Sequence, residues 1–344
     1  MYTDGLSLLS FNVFMRPVIG MHTDMKSERI DPIALAIREY DIVCLQEIFS
    51  LGDGRRDTLM AKAREYGLEY HSIPPSPSII DMLFKGKVVS AGLLTLSRYP
   101  ILSSQFYPFY RGSGVDSLSG KGVLYSRLKV KGQTIHLFNA HLQANYSSEY
   151  SPTDHPHILA RLGQIEETKA IIDGVINSDG RLYQDGPGNF KDIIIIAGDF
   201  NVNPKSTELP TRDFPEIKSL HHFKKKTFSE YEFLVSVLSR QGKDKLEDMA
   251  FNTLGYHPTT FGDVDISPKG TKTPKDKCLT NTADHLTEQR LDYIFWLIPQ
   301  GTDPSLLSIH PGECKVIEFF VKDSRYEFTQ LSDHYGLACK LNYR

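Results

Sequence analysis

The sequence predicts an α+β fold of stacked, largely antiparallel sheets flanked by helices, and three observations carry that prediction. Apolar, strand-like runs recur from one end of the chain to the other. Only a few helical patterns stand between them, and several turns are of hairpin length. No internal repeat interrupts the pattern, and no linker is long enough to separate a second domain, so residues 1–344 read as a single domain.

In chain order, residues 6–13 (LSLLSFNV) form a buried strand with Asn12 near its end. Ser27 caps a helix reaching about Tyr40, with Pro32 in the tolerated first turn and Ile33, Ile37 and Tyr40 on one stripe. Residues 41–48 (DIVCLQEI) are the second strand, closed by Glu47. Residues 55–66 read as a helix stopped by Gly67. Residues 73–89 are Pro-rich and then apolar, without a clean period. A strand at 91–96 precedes an aromatic-rich segment at 101–110. The loop RGSGVDSLSGKG leads into a hairpin of 123–130 and 134–140 turned at Lys131-Gly132, and His141 falls at its end. Residues 157–177 are the clearest helix, with Ile158, Leu162, Ile165 and Ile172 at helical spacing.

Residues 192–204 (DIIIIAGDFNVNP) follow. Four isoleucines make a strand buried on both faces, and Pro204 ends its pairing. Asp199 and Asn201 stand two apart, so on an extended backbone they face one pocket. The polar region 205–289 holds one predicted helix at 228–238 and a loop-like stretch at 262–284. Strands at 290–297, 315–321 and 336–341 complete the chain.

The totals narrow the function classes. At 344 residues and 40% hydrophobic content the chain can bury a large core and is not disordered. A formal charge of −3 provides no broad field for nucleic acid. Four cysteines are too few for a disulfide scaffold; Cys44 and Cys339 sit in apolar runs, Cys278 and Cys314 lie in polar segments where a pair between them stays open, and four thiols are expected. The N-terminus has no signal-peptide pattern and no window approaches a membrane span, which predicts a soluble chain, cytoplasmic and peripheral to membranes or secreted.

Asn12, Glu47, His141, Asp199, Asn201, Asp292 and Asp333-His334 all lie at or beside the ends of strand-like runs. One such residue is a cap or a turn; this many predict a polar cluster at one rim of the sheets. Converging carboxylates need a cation, and oxygen-rich ligands with few nitrogens select a hard divalent ion such as magnesium, with Glu47 the leading ligand. Asp292 with His334 makes a base-and-orienter pair.

Six motifs in order, SFNVF, LQEIF, NAHLQA, GDFNVNP, RLDYIF and LSDHYGL, resemble the endonuclease/exonuclease/phosphatase superfamily across nearly the whole chain. Within it, the sequence lacks the tryptophan-led Gly-Asp-Leu-Asn-Tyr-Arg segment of inositol polyphosphate 5-phosphatases, and its charge balance does not suggest the basic face of abasic-site endonucleases. SRYPI at 97–101 and DSLSGKG at 116–122 are similar to the neutral sphingomyelinase branch.

That resemblance implies a four-layer α/β/β/α sandwich of two packed mixed sheets. It implies a phosphodiesterase that splits sphingomyelin into ceramide and phosphocholine with magnesium, for which manganese or cobalt substitutes. Glu47 and Asp333 are then the metal residues. His334, His141, Asp199, Asn201, Asp292 and Asn12 are catalytic, and Asp116 and Lys121 position the substrate. Membrane contact is expected through Ile79, Ile80, Met82, Leu83 and Phe84 beside Lys85 and Lys87, and through residues 106–110. Tyr107, Tyr110 and Phe261 are candidate choline-facing aromatics. The expected partner is a membrane lipid and not nucleic acid, with the chain a monomer that lacks the anchoring segments of the animal members. Two other readings stay open: a sibling phosphoesterase acting on another phospholipid, an inositol phosphate or nucleic acid, and a catalytically silent membrane-binding module.

Overall fold

Strands dominate because β-branched and aromatic residues recur in short runs, and helices form where the apolar period lengthens. The computed structural model describes residues 5–16, 25–49, 54–75, 91–114, 116, 120–145, 155–178, 191–276, 278–279 and 282–344. Its elements are β1 (Gly5–Met15), α1 (Ile30–Ile37), β2 (Ile42–Ile48), α2 (Arg55–Glu65), β3 (Tyr70–Ser72), β4 (Leu94–Ser97), β5 (Ile101–Pro108), β6 (Gly122–Val130) and β7 (Gln133–His141). They continue with α3 (His155–Ser178), β8 (Ile193–Asp199), β9 (Leu209–Pro210), β10 (Thr227–Phe228), α4 (Glu230–Leu238), β11 (Lys245–Asp248) and α5 (Met249–Leu254). The chain closes with β12 (Val264–Ile266), β13 (Lys272–Pro274), β14 (Asp292–Ile298), β15 (Ile309–Ile317) and β16 (Gly336–Tyr343).

Two six-stranded sheets result, ordered β15-β16-β1-β2-β4-β3 and β11-β14-β8-β7-β6-β5. Each is antiparallel apart from one parallel pair at its centre, β1/β2 in the first and β7/β8 in the second. Both are therefore mixed, as expected.

Alternation along the strands builds three apolar layers. Leu6, Leu8, Ile42 and Cys44 of the first sheet pack against Ile135, Leu137, Ile193, Ile195 and Trp296 of the second. The opposite face of the first sheet, including Leu9, Phe11, Val43 and Leu45, meets Ile33, Ile37 and Leu59 of α1 and α2. The opposite face of the second, including Ile194, Ile196 and Phe138, meets Leu162, Ile165, Phe233 and Leu234 of α3 and α4. The Ile193–Ile196 run is thus apolar on every residue because it is covered from both sides. Helices, sheet, sheet and helices stack in that order.

Local chemistry sets the boundaries. Lys131 and Gly132 both have positive φ, 46° and 87°, as a two-residue hairpin turn requires. Ser229 and Glu232 form a reciprocal capping box that starts α4. The helix predicted from 228 accordingly starts two residues later.

Four expectations are corrected. Ser27 does not cap α1, which starts at Ile30 behind Arg29 with no side-chain cap and ends at Ile37. The strand expected at 315–321 is β15, which begins at Ile309 and ends at Ile317. Pro311 is tolerated inside it because β15 is an edge strand and a register shift between Pro311 and Cys314 absorbs the proline. The loop-like stretch 262–284 contains the small β12/β13 hairpin. Cys314 and Cys339, directly opposed on β15 and β16 with Cα atoms 4.1 Å apart, form a disulfide, so neither four thiols nor a Cys278–Cys314 pair describes the chain. No helix among the described residues is long and apolar enough to cross a membrane.

Gly198 lies inside β8 at φ 141°, and an added Cβ would run into the backbone of Ala140 on β7. Gly198→Ala is expected to lose on the order of 2–4 kcal/mol, because strain and a main-chain clash add. Urea unfolding measures it, and an unchanged midpoint would contradict the close approach.

Candidate active site

β7 and β8 end where the antiparallel β14 begins, and their pairing aligns His141 with Asp199 and Asp199 with Asp292. Alternation points this row toward the first sheet, where Asn12 ends the regular part of β1 opposite Gln46. Glu47 breaks the alternation. Gln46 already faces the second sheet through its bond to Asn139, so a regular strand would send Glu47 to the helix side. The backbone at Glu47 is left-handed instead, with φ 57°, and the carboxylate reaches the rim.

The side chains meet there. Asn12 Nδ2 donates to Glu47 Oε1 at 3.2 Å and to Asp199 Oδ2 at 2.9 Å. His141 Nε2 lies 3.6 Å from Asp199 Oδ2 and 3.9 Å from Glu47 Oε1. His334 Nδ1 bonds Asp292 Oδ2 at 2.8 Å, and its Nε2 lies 3.8 Å from Asp199 Oδ2. Asn201, at φ 52°, donates through its backbone N–H to Asp199 Oδ1 and through Nδ2 to the Leu142 carbonyl, both at 3.0 Å. Ser332 Oγ donates its one hydrogen to the Asn12 carbonyl at 2.6 Å, and Asp333 Oδ1 lies 3.2 Å from the same oxygen.

Asp116 and Lys121 stand beside this cluster. The lysine is buried, pairs with Asp116 Oδ2 at 2.8 Å and donates to the Leu142 carbonyl at 2.8 Å. Asp116 Oδ2 also accepts from the Ala144 N–H at 2.9 Å and from Gln143 Nε2 at 3.0 Å. The pair thus braces the segment that follows His141.

Arg29 carries no motif signature and stands in the polar stretch MKSERID. It is fully buried and donates to the carbonyls of Val13, Phe14 and Leu331, tying the end of β1 to the segment bearing Asp333 and His334.

The electrostatics divide the two histidines. Burial, then the charges of Lys121 and His334, push His141 well below its ordinary pKa, so it is neutral. Burial opposes charge at His334 as well, but the carboxylates of Asp292 and Asp199 outweigh it and raise the imidazole to about 10. Asp199 is raised by burial and by Asp292, against the opposing pull of His334 and Lys121. Burial and the Glu47 charge push Asp333 up to about 7.

Two groups of ligand atoms lie close enough to hold one ion, Glu47–His141–Asp199 and Asp199–Asp292–His334. Glu47 Oε2 and Asp292 Oδ1 are buried and have no hydrogen-bond partner among the described residues. A buried carboxylate oxygen without a partner is costly unless something positive meets it. The residues therefore fit a hard divalent cation.

The pattern of the Endonuclease/Exonuclease/phosphatase family matches residues 9–334. The chain belongs to that family. It is 32% identical over 356 residues to a sphingomyelinase of Dictyostelium discoideum, covering 90% of this chain and 73% of that one. It is 27% identical over 215 residues to a sphingomyelinase C of Bacillus cereus, covering 60% of this chain and 59% of that one. Among solved structures, SmcL superposes with a TM-score of 0.63 at 21% identity, covering 99% of this chain and all of that one. A beta toxin variant of Staphylococcus aureus with bound magnesium ions superposes with a TM-score of 0.60 at 19% identity, covering 99% and 100%. At such identities these structures establish the fold. The resemblance to the sphingomyelinase branch is borne out by the relatives, and membership makes the chain an enzyme of the phosphodiesterase-hydrolase kind.

A carboxyl whose folded pKa lies above its unfolded value contributes stability below the unfolded value, and that contribution is lost as pH rises through the folded one. Asp333, moving from 3.8 to about 7, follows this pattern. Without added metal, Asp333→Asn is expected to be more stable than the parent by on the order of 1–3 kcal/mol at about pH 8, and no more stable at about pH 4. Thermal melts at both pH values check this, and equal melts at pH 8 would contradict the electrostatic picture.

Proposed function

We propose that the chain is a magnesium-dependent phosphodiesterase that hydrolyses sphingomyelin to ceramide and phosphocholine. The observation that carries the chemistry is the meeting of Glu47, Asp199, His141 and the Asp292–His334 pair at one rim. The choice of lipid rests on the likeness to the Dictyostelium sphingomyelinase over most of both chains. Residues 1–344 act as one catalytic domain, and because one chain supplies the whole cluster a monomer suffices.

Glu47 would hold the cation beside His141 and Asp199, and Asp333, outside both groups of ligand atoms but within the field of Glu47, would complete the ion's outer surroundings. Magnesium bound there supplies positive charge to the phosphoryl oxygens and offsets the carboxylates that keep His334 protonated. Manganese and cobalt are expected to substitute. His334, with Nδ1–H held by Asp292, presents Nε2 to the attacking water and takes its proton. Neutral His141 donates Nε2–H to a phosphoryl oxygen or to the departing alkoxide. Asn12, Asp199 and Asn201 fix these groups and the water. Asp116 and Lys121 act one layer out by holding the backbone of 142–144.

The ring of Phe261 lies 4.9 Å from that of His334, which makes it the best-placed of the three candidate choline-facing aromatics. Tyr110 is 98% exposed and suits contact with a bilayer surface. The apolar segment 79–87 lies outside the described residues.

Release of phosphocholine from sphingomyelin vesicles tests the reading directly. Turnover is expected with magnesium and none with chelator, and phosphatidylcholine, an inositol lipid and abasic DNA are expected to be poor substrates. Preference for any of these would replace the proposed substrate. His334→Ala is expected to lose on the order of 10²–10⁴ in kcat; near-parental turnover would refute its role.

Because ligands must shed protons to bind a metal, magnesium affinity is expected to rise from about pH 6 to about pH 8 as Asp333 and Asp199 ionise. Calorimetry in buffers of different ionisation enthalpy would show proton release, and a pH-independent affinity would contradict the assignment.

A further inference from the structure

The cluster is divided between the two sheets. Asn12, Glu47 and His334 come with the first, whereas His141, Asp199 and Asp292 come with the second. Apolar side chains between sheets attract without direction. Sliding one sheet over the other costs them little buried area, yet it would pull Glu47 away from His141 and Asp199.

A buried polar contact crosses this apolar layer. Asn139, two residues before His141 on β7 and on the same face, is fully buried. Its Oδ1 accepts from Gln46 Nε2 at 2.8 Å. Its Nδ2 donates to the carbonyls of Leu45 and Leu94, each at 3.2 Å, and those two residues are direct partners on β2 and β4. Gln46 precedes Glu47, and its Nε2 also reaches Ser10 Oγ at 3.4 Å and the Cys44 carbonyl at 3.2 Å. Gln46 Oε1 is buried with no hydrogen-bond partner among the described residues.

Leaving a buried acceptor unpaired costs about 1–3 kcal/mol. Two apolar side chains of similar size would hold the sheets together without that penalty. The amide pair adds direction: Asn139 makes its bonds to Gln46, Leu45 and Leu94 in one register only.

We propose that Asn139, acting through Gln46, is a positioning residue that sets the register between the sheets and thereby the distance from Glu47 to His141 and Asp199. This rests on the metal-phosphodiesterase reading above.

The test compares the parent chain with Gln46→Met/Asn139→Leu, an apolar replacement of both partners. Thermal melts and the near-ultraviolet signal of Trp296, the only tryptophan and buried between the sheets, report folding. Magnesium calorimetry and the separate kcat and KM on sphingomyelin report the site. A double variant that melts like the parent but binds magnesium and turns over about 10-fold or more weakly, with KM moved less, supports the proposal. A variant equal to the parent in magnesium affinity and kcat overturns it. Should the double variant fail to fold, Asn139→Ser serves, with weakened magnesium binding expected and parental affinity again overturning the idea. A parent that itself neither binds magnesium nor hydrolyses sphingomyelin overturns the site reading instead.

Discussion

Everything at the rim follows from one electrostatic constraint: the fold presses the buried carboxyl groups of Asp199, Asp292 and Asp333 and the half-buried one of Glu47 into one corner, where like charges repel. Such a corner survives only if backbone structure holds it and positive charge offsets it. The backbone does so through strand pairing that places His141, Asp199 and Asp292 in one row, and through left-handed residues at Glu47 and Asn201. Some of the positive charge comes from His334 and Lys121, whose fields oppose the rise at Asp199. The unpartnered Glu47 and Asp292 oxygens mark where the chain's own cations fall short.

The same constraint explains why two histidines a few ångströms from one carboxylate behave oppositely. His334 has Asp292 in direct hydrogen-bond contact, and that partner overrides the cost of burying charge. His141 has no such partner; its Nδ1 lies buried without a hydrogen bond among the described residues, and Lys121 adds a repelling charge. Burial alone would drive both rings neutral, so the neighbouring carboxylate decides which one carries the proton.

Much of the site was legible in the sequence because its residues break apolar runs. Asp199 after four isoleucines, Glu47 after IVCLQ and His141 after a hairpin strand are conspicuous by contrast, and the motif order tied them together. What escaped was decided by contacts far apart in sequence. β16 pairs with β1 across the whole chain, and that pairing brings the segment of Ser332, Asp333 and His334 to the end of β1, where Ser332 bonds the Asn12 carbonyl. Pro311-Gly312 hid the start of β15, because an edge strand tolerates what a central one does not. The disulfide went unseen because Cys339 reads as a core residue until Cys314 is known to oppose it. Arg29 left no mark, since its bonds are to backbone carbonyls that any sequence supplies. Asn139 did leave one, a carboxamide between the apolar Phe138 and Ala140, which stands out only when the facing sheet is in view.

The account is tested most directly by anomalous diffraction from crystals of the full chain grown with manganese, an oxygen-seeking stand-in for magnesium. It predicts a strong anomalous peak in the cleft between the sheets, bonded to Glu47 and within reach of the Asp199 carboxylate. Density elsewhere on the molecule, with the Glu47 carboxylate left bare, would contradict it.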